Sequence, residues 1–226
     1  MRRYLFPLLL GLGGIAILLS LGIWQVRRLQ WKETLLATIN GRLSAAPVDL
    51  ATLATPDPVK DRYQAVITTG TTAGQGLMVL SGRKDGGAGY EVIDALTTTT
   101  GRRVLIDMGF VPDADRARLR PARTLTVTGN LDWPAEVDSY TPAPDLTANV
   151  WFARDVSVMA EKLQTEPVLV VLRTSEPDDP SILPTPVDTS GIPNDHLGYA
   201  ITWFSLAAAW AGMTAYLLWR IRQRTA

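Results

Sequence analysis

Residues 4–26 read YLFPLLLGLGGIAILLSLGIWQV, a run of about 23 residues without a charged side chain, bounded by Arg3 and Arg27. Coiled as an α-helix, such a run is long enough to cross a hydrocarbon core of about 30 Å. A second uncharged run, LGYAITWFSLAAAWAGMTAYLLW at 197–219, lies between His196 and Arg220. These two stretches decide the architecture, because everything else in the chain must fit between them. A cleaved secretory signal would have an apolar stretch of about 7–15 residues and then a small-x-small site. Here Trp24, Gln25, Val26 and Arg27 end the first run, so it reads as an uncleaved anchor. The apolar run begins at Tyr4 with no Arg- and Ser-rich amphipathic leader before it, and the expectation is a bacterial protein rather than a mitochondrial precursor.

The chain of 226 residues carries 22 Lys plus Arg and 22 Asp plus Glu, yet the signs are segregated. Residues 40–195 hold 14 basic against 21 acidic side chains, a net of −7, and the two ends hold 8 against 1, a net of +7. An acidic domain between basic membrane collars does not bind nucleic acid, which needs clustered Lys and Arg to neutralise phosphates. Basic residues also orient membrane helices. Arg2 and Arg3 before the first span and Arg220, Arg222 and Arg224 after the second favour cytoplasmic termini, Asp195 and His196 agree, and Arg27, Arg28 and Lys32 pull the other way. The expectation is a two-pass protein of the bacterial inner membrane whose domain is periplasmic. Cysteine is absent, which excludes disulfides, thiolate metal sites and covalent haem attachment through CxxCH.

After the first span, RRLQWKETLLATINGRL keeps Leu29, Leu35, Leu36 and Ile39 at helix-like spacing, so the helix continues beyond the membrane until Gly41 and Pro47. Residues 45–60, rich in proline and small side chains, read as a loop. Six β signals follow: YQAVITTG at 63–70, LMVLSG at 77–82, YEVIDALTT at 90–98, RRVLIDMGFV at 102–111, TLTVTGNL at 124–131 and PVLVVLRT at 167–174. TTTTG at 97–101 reads as a hairpin turn and SGRKDGGAG at 81–89 as a longer glycine-rich loop. One helix interrupts the series, with Asp155 as its cap and Val156, Met159, Ala160 and Leu163 forming an apolar stripe. Residues 176–193 form a proline-rich return to the membrane. The fold expected is α+β. Transmembrane helices over 1–27 and 196–226 flank an extracytoplasmic domain over 28–195, of mostly antiparallel strands in a sandwich or partly closed barrel with one packed helix.

Histidine occurs once, at 196, so a histidine-based triad or a multi-histidine metal site has little to be built from. Two readings of His196 stay open. It is a polar interfacial residue that hydrogen-bonds the start of the second membrane helix, or it is an axial ligand to a haem iron at the membrane surface, for which one neutral imidazole suffices. With the two helices antiparallel, Trp24, Gln25, Arg28, Trp31 and Lys32 share the membrane depth of His196, Tyr199 and Trp203. Aromatic rings there suit a macrocycle and the cations its propionates, although aromatic belts and flanking cations also decorate membrane helices that bind nothing. Asp107, Asp113, Asp115, Asp178 and Asp179 read as a solvated acidic face. No GxSxG elbow is present, the glycines at 82–89 precede a strand rather than the helix of a phosphate loop, and five scattered methionines make no copper site. The expectation is a protein that is not an enzyme.

The same residues carry a family pattern. Leu21-Gly22-Ile23-Trp24-Gln25 with Arg28, Trp31 and Lys32, and Pro193-Asn194-Asp195-His196-Leu197-Gly198-Tyr199-Ala200 followed by Thr202-Trp203-Phe204, resemble the two membrane-edge motifs of the Surfeit-locus (Surf/Shy) family of cytochrome c oxidase assembly factors. Between them the likeness continues more loosely through Gly89-Tyr90, Gly101, Val104-Leu105, Gly109-Phe110-Val111-Pro112, Asn149-Val150-Trp151-Phe152 and Arg154-Asp155. The chain departs from the family where Tyr63-Gln64-Ala65-Val66 replaces YRPV and Asp107-Met108-Gly109-Phe110 replaces NRGW. The resemblance implies a membrane chaperone of the respiratory chain that helps to mature oxidase subunit I, with haem a held through His196 and supplied by haem a synthase. A cofactor-free scaffold is the alternative, with Gly11, Gly13, Gly14, Gly22, Gly198 and Gly212 allowing close contacts to oxidase helices.

Overall fold

The computed structural model describes residues 2–74, 76–83 and 87–224. The chain forms two units, Met1–Thr38 with Thr189–Ala226, and Ile39–Asp188.

Helix α1 (Arg2–Leu43), which belongs to the first unit as far as Thr38, carries the first apolar run and continues unbroken through the stretch after it. Helix α3 (His196–Gln223) carries the second run. Both are long and apolar enough to cross a membrane. They pack antiparallel, and the contact is made by residues that have little or no side chain. A Cβ on Gly22 would come within 2.7 Å of the Phe204 ring. Cβ atoms on Gly11 and Gly14 would overlap Thr214 and Trp210, and Ala200 and Ala207 are buried. Close approach through small residues is how helices associate where lipid removes the hydrophobic incentive. Leu5, Leu9, Ile17, Ile201 and Met213, by contrast, point away from the pair and are exposed.

The second unit is a β-barrel with a helix on its flank. Its strands are β1 (Val48–Asp49), β2 (Ala65–Thr72), β3 (Leu77–Arg83), β4 (Gly87–Thr98), β5 (Arg103–Pro112), β6 (Thr124–Asp132), β7 (Val150–Trp151) and β8 (Leu169–Glu176). They run in the order β1-β2-β6-β8-β5-β4-β3-β7, and a further pairing of β2 with β4 closes β2, β6, β8, β5 and β4 into a ring. The long strand β4 makes this closure: Leu96–Thr98 pairs with β2, while its other end pairs with β3. Of the two arrangements expected, a sandwich or a partly closed barrel, the barrel is the one formed, and the β2–β4 pairing closes it. Most pairs are antiparallel, with β8 parallel to β5.

Alternation along the strands makes two cores. Val104, Ile106 and Met108 of β5 and Val170 and Leu172 of β8 face the barrel interior with Val66, Leu96, Leu125 and Val127. Their neighbours Leu105, Leu169 and Val171 face outward with Leu77 and Ile93, and there they meet Val156, Met159 and Ala160. The last three belong to helix α2 (Val156–Leu163), whose N-cap Asp155 accepts a hydrogen bond from Val158 N at 3.1 Å. This is the capped stripe that the sequence spacing predicts.

The glycine-rich stretch at 81–89 differs from its reading as a loop. Ser81, Gly82 and Arg83 pair with Gly89, Ala88 and Gly87, because backbone ladders need no side chains and the hairpin simply extends; residues 84–86 lie outside the described residues. The two-residue strands β1 and β7, each parallel to its neighbour, are too short to show any alternation in sequence. In β5 an extra residue interrupts pairing with β4, so that Glu91 faces Phe110 but Ile93 faces Asp107. Gly109 takes up this bulge at φ +111°, where a Cβ would run into the carbonyl oxygen of Leu183.

Candidate functional site

Helix α3 begins at His196, and the side chain of the preceding Asp195 makes no capping bond. The Asp195 carbonyl instead accepts from Tyr199 N at 3.2 Å. The imidazole does not cap its own helix either. Its Nδ1 lies 2.8 Å from Oε1 of Gln25 on α1. Gln25 is only 8 % exposed, which is unusual for an amide on an apolar helix and requires a partner. With the amide oxygen accepting, Nδ1 carries the ring proton and Nε2 keeps its lone pair. A hydrogen bond to one ring nitrogen is what fixes the tautomer and orientation of a metal-binding histidine, and His196 is half-buried.

Around this pair the helix period sorts the other residues. At about 100° per residue, Lys32 lies within about 20° of Gln25 around α1, and Arg28, Trp24 and Trp31 follow on one adjoining arc. On α3, Trp203 shares the face of His196, with Tyr199 beside it. The guanidinium of Arg28 stacks 4.3 Å from the centroid of Trp31. Trp24, Trp31 and Tyr199 are all more than half exposed, whereas Lys32 and Trp203 are half-buried. The structure thus joins His196 to Gln25 and Arg28 to Trp31. Trp24 and Tyr199 stand out from the helices as free aromatic surface. Chemically the set offers one imidazole nitrogen, aromatic faces and two cations. Among the described residues no group of three or more His, Cys, Asp or Glu is placed to hold a bare metal ion.

Sequence spacing put Gln25 at the right depth without assigning it a partner. A glutamine after the tryptophan that closes an apolar run was the available signal, since a buried amide there has to bond something.

A second polar centre lies in the barrel unit, and it overturns one reading. Asp107 does not belong to the solvated acidic face: it is fully buried, because α2 covers the outer face of β5. Asp113 and Asp178 are exposed as expected. Asp107 Oδ1 accepts from Gly109 N at 3.1 Å and so pins the bulge, and Oδ2 pairs with Arg154 at 3.0 Å. Arg154 also donates from Nε to Glu136 Oε1 at 3.0 Å, and its backbone N–H donates to Oε2 at 2.8 Å. Glu91 accepts from Thr185 Oγ1 at 2.7 Å. Burial, and then the charge of Glu91, push the Asp107 carboxyl up to about 7. Burial also raises Glu91. Arg154 is opposed by burial but held charged by Glu136 and Asp107. The cluster clamps the β5 bulge to the segment before α2.

The SURF1 family model matches residues 12–208, a span that contains Gln25, Asp107 and His196. A SURF1-like protein of Monosiga brevicollis is 32% identical over 216 residues, covering 88% of this chain and 82% of that protein. A SURF1-like protein of Rickettsia felis is 30% identical over 202 residues, 84% of this chain and 87% of the relative. Surfeit locus protein 1 of Homo sapiens is 28% identical over 228 residues, 88% of this chain and 71% of the human protein. With two membrane-length helices joined at a buried Gln–His pair and the family match running from the first to the second, the chain belongs to the SURF1 family.

Proposed function

We propose that this protein is a membrane assembly factor for haem-copper cytochrome c oxidase, without catalytic activity of its own, and that it assists delivery of haem a to subunit I. The observation that carries the proposal is the Gln25–His196 hydrogen bond, which leaves Nε2 as an oriented nitrogen ligand where two apolar helices meet. In this reading His196 ligates the iron, and Gln25 holds the imidazole. Arg28 and Lys32 pair with the propionates, and Trp24, Trp31, Tyr199 and Trp203 pack on the macrocycle. Haem a comes from its synthase and leaves for the oxidase, so it is cargo. The lipid bilayer is the remaining partner: the chain sits in a bacterial inner membrane, with cytoplasmic termini and residues 28–195 on the periplasmic side.

The test is an absorption spectrum of the detergent-purified protein, co-produced with the enzymes that make haem a, beside His196→Ala. A haem a band that collapses in the variant is the expected result. A band of equal size in both proteins refutes ligation by His196, and no band in either favours the second reading.

That second reading is a cofactor-free scaffold, and one observation favours it. Gly11, Gly14 and Gly22 are consumed by the contact between α1 and α3, but a Cβ on Gly13, Gly198 or Gly212 would meet nothing within 4 Å. Those positions leave backbone open to helices of another protein. Photo-cross-linkers at 13 and 212 are expected to capture oxidase subunit I if this holds, and lipid alone if it does not.

A further inference from the structure

The barrel unit is acidic, yet four of its arginines gather at one end. β6 runs from Thr124 to Asp132. Near its far end Asn130 donates to the carbonyl of Leu43 at 3.2 Å, where α1 finishes. The arginines lie at the opposite end, on the segment 118–123 that leads into β6 and at the tip of β3. Arg118, Arg120 and Arg123 line a pocket of about 230 Å³ together with Asp94, Asp179 and Ser181. Arg118 and Ser181 also line an adjoining trough of about 550 Å³, walled by Arg83, Phe110 and Leu183.

Several donors in this pocket have no acceptor. Arg120 folds its own loop by donating from Nη2 to Asp115 O at 2.9 Å and from Nη1 to Arg118 O at 3.1 Å, which leaves its Nε buried without a partner. Arg123 Nη2 approaches Asp179 Oδ2 at 3.1 Å, but in a direction that makes an ion pair and no hydrogen bond. The exposed guanidinium of Arg118 makes neither among the described residues. Three carboxylates, Asp94, Asp115 and Asp179, line the pocket and trough against these arginines, and two of them are occupied. Asp179 accepts from Ser181 N and Oγ, and Asp94 accepts from Gly74 N at 2.9 Å and Ala95 N at 2.7 Å. Apolar surface lies directly beside the charges: Leu119, between Arg118 and Arg120, is 92 % exposed, and Leu183 is 53 % exposed.

We propose that this arginine-lined trough is a docking site for an acidic segment of a partner protein, one that places a carboxylate among Arg118, Arg120 and Arg123 and an apolar side chain against Leu119 and Leu183. Arginine beside exposed apolar side chains is the composition of protein interfaces. The rest of the unit repels such a segment, since residues 39–188 hold 14 basic and 20 acidic side chains, a net of −6, so the charge pattern selects this end as well as attracting to it.

The test uses the full chain in detergent and a fluorescein-labelled octapeptide of alternating glutamate and leucine, with its glutamine counterpart, read by fluorescence anisotropy. The expected result is binding of the glutamate peptide only. It weakens at least tenfold in Arg118→Glu and is unchanged in Lys162→Glu, which makes the same change of net charge on α2, away from the trough. The Arg118 side chain makes no hydrogen bond among the described residues and acts on Asp179 only through its charge, so a melting temperature that moves little accompanies the loss. Equal weakening by both variants reduces the effect to overall charge and overturns the proposal, as does equal binding of the two peptides or of neither. Displacement of the peptide by inorganic phosphate at comparable concentration overturns it in favour of a small-anion site.

Discussion

Gln25 Oε1 and His196 Nδ1 lie 2.8 Å apart, joining the end of the first apolar run to the start of the second. The bond links residues 171 positions apart in sequence, and it satisfies a buried amide and orients an imidazole together. Gln25→Leu removes the acceptor and frees the ring to turn. Loss of such an orienting partner commonly costs about 10–100-fold in affinity at histidine metal sites, and if His196 ligates haem a as proposed, a loss of that size is expected for haem a retained through purification. Gln25→Glu keeps an acceptor in place and should restore most of the binding. Equal retention by Gln25→Leu and the parent protein would show that the bond serves only the packing of the two helices.

Asp107 gives the barrel unit a pH-dependent stability whose sign follows from its burial. In the fold its carboxyl keeps a proton up to about 7, against the 3.8 usual for an aspartate. Between those values the folded state binds more protons than the unfolded one, so the free energy of unfolding falls as pH rises. This contribution is complete below pH 3.8 and is lost as pH climbs through about 7. Asp107→Asn keeps an oxygen for Gly109 N and cannot ionise. Thermal melts from pH 4 to 8 should therefore show a shallower decline than the parent, with the variant equal or more stable at pH 8. The slope will not vanish, because Glu91 is raised in the same direction. An unchanged slope would mean that Asp107 is ionised in the fold.

Gly109 admits no side chain. A residue with a Cβ pays for φ +111° and must also displace the Leu183 carbonyl, which is hydrogen-bonded to Phe110 N at 2.8 Å. Gly109→Ala is expected to cost roughly 2–4 kcal/mol, the combined scale of backbone strain and a broken buried contact. Chemical denaturation of the full chain measures it, and a cost below about 0.5 kcal/mol, the scale of an ordinary surface change, would contradict the bulge geometry.

Asp155 tests the flank of the barrel more gently. Replacing it by Ala removes the acceptor for Val158 N and should lower stability by about 1 kcal/mol, the usual effect of losing an N-cap. Asp155→Ser should recover most of it, since a serine hydroxyl accepts from the same N–H.

Much of this could be read in the sequence, for a definite reason. Helices α1 and α3, the six longer strands and α2 each bury a face whose period is written locally, as in Val156, Met159 and Ala160. What could not be read is who pairs with whom. The placement of β8 beside β5, and the closure of β2 on β4 through Gly70–Thr72 and Leu96–Thr98, depend on partners distant in sequence. Asp107 was misplaced for the same reason. In RVLIDMGFV it occupies an outward position, and only the arrival of α2 makes the outside of β5 an inside. His196 stood out because it has no rival in composition, while the role of Gln25 depends on burial, which is a property of the folded pair.

The insertion of β8 between β6 and β5 constrains the order in which the chain becomes a barrel as it leaves the ribosome. Strands β2 to β6 are complete by Asp132, yet the ring cannot shut until Leu169–Glu176 arrives to fill the remaining gap. For the whole interval in which residues 133–168 emerge, β5 and β6 present bare edges that other chains can pair with. The nascent protein therefore has a vulnerable window set by its topology. Truncations ending before Leu169 should aggregate, and those extending past Glu176 should not.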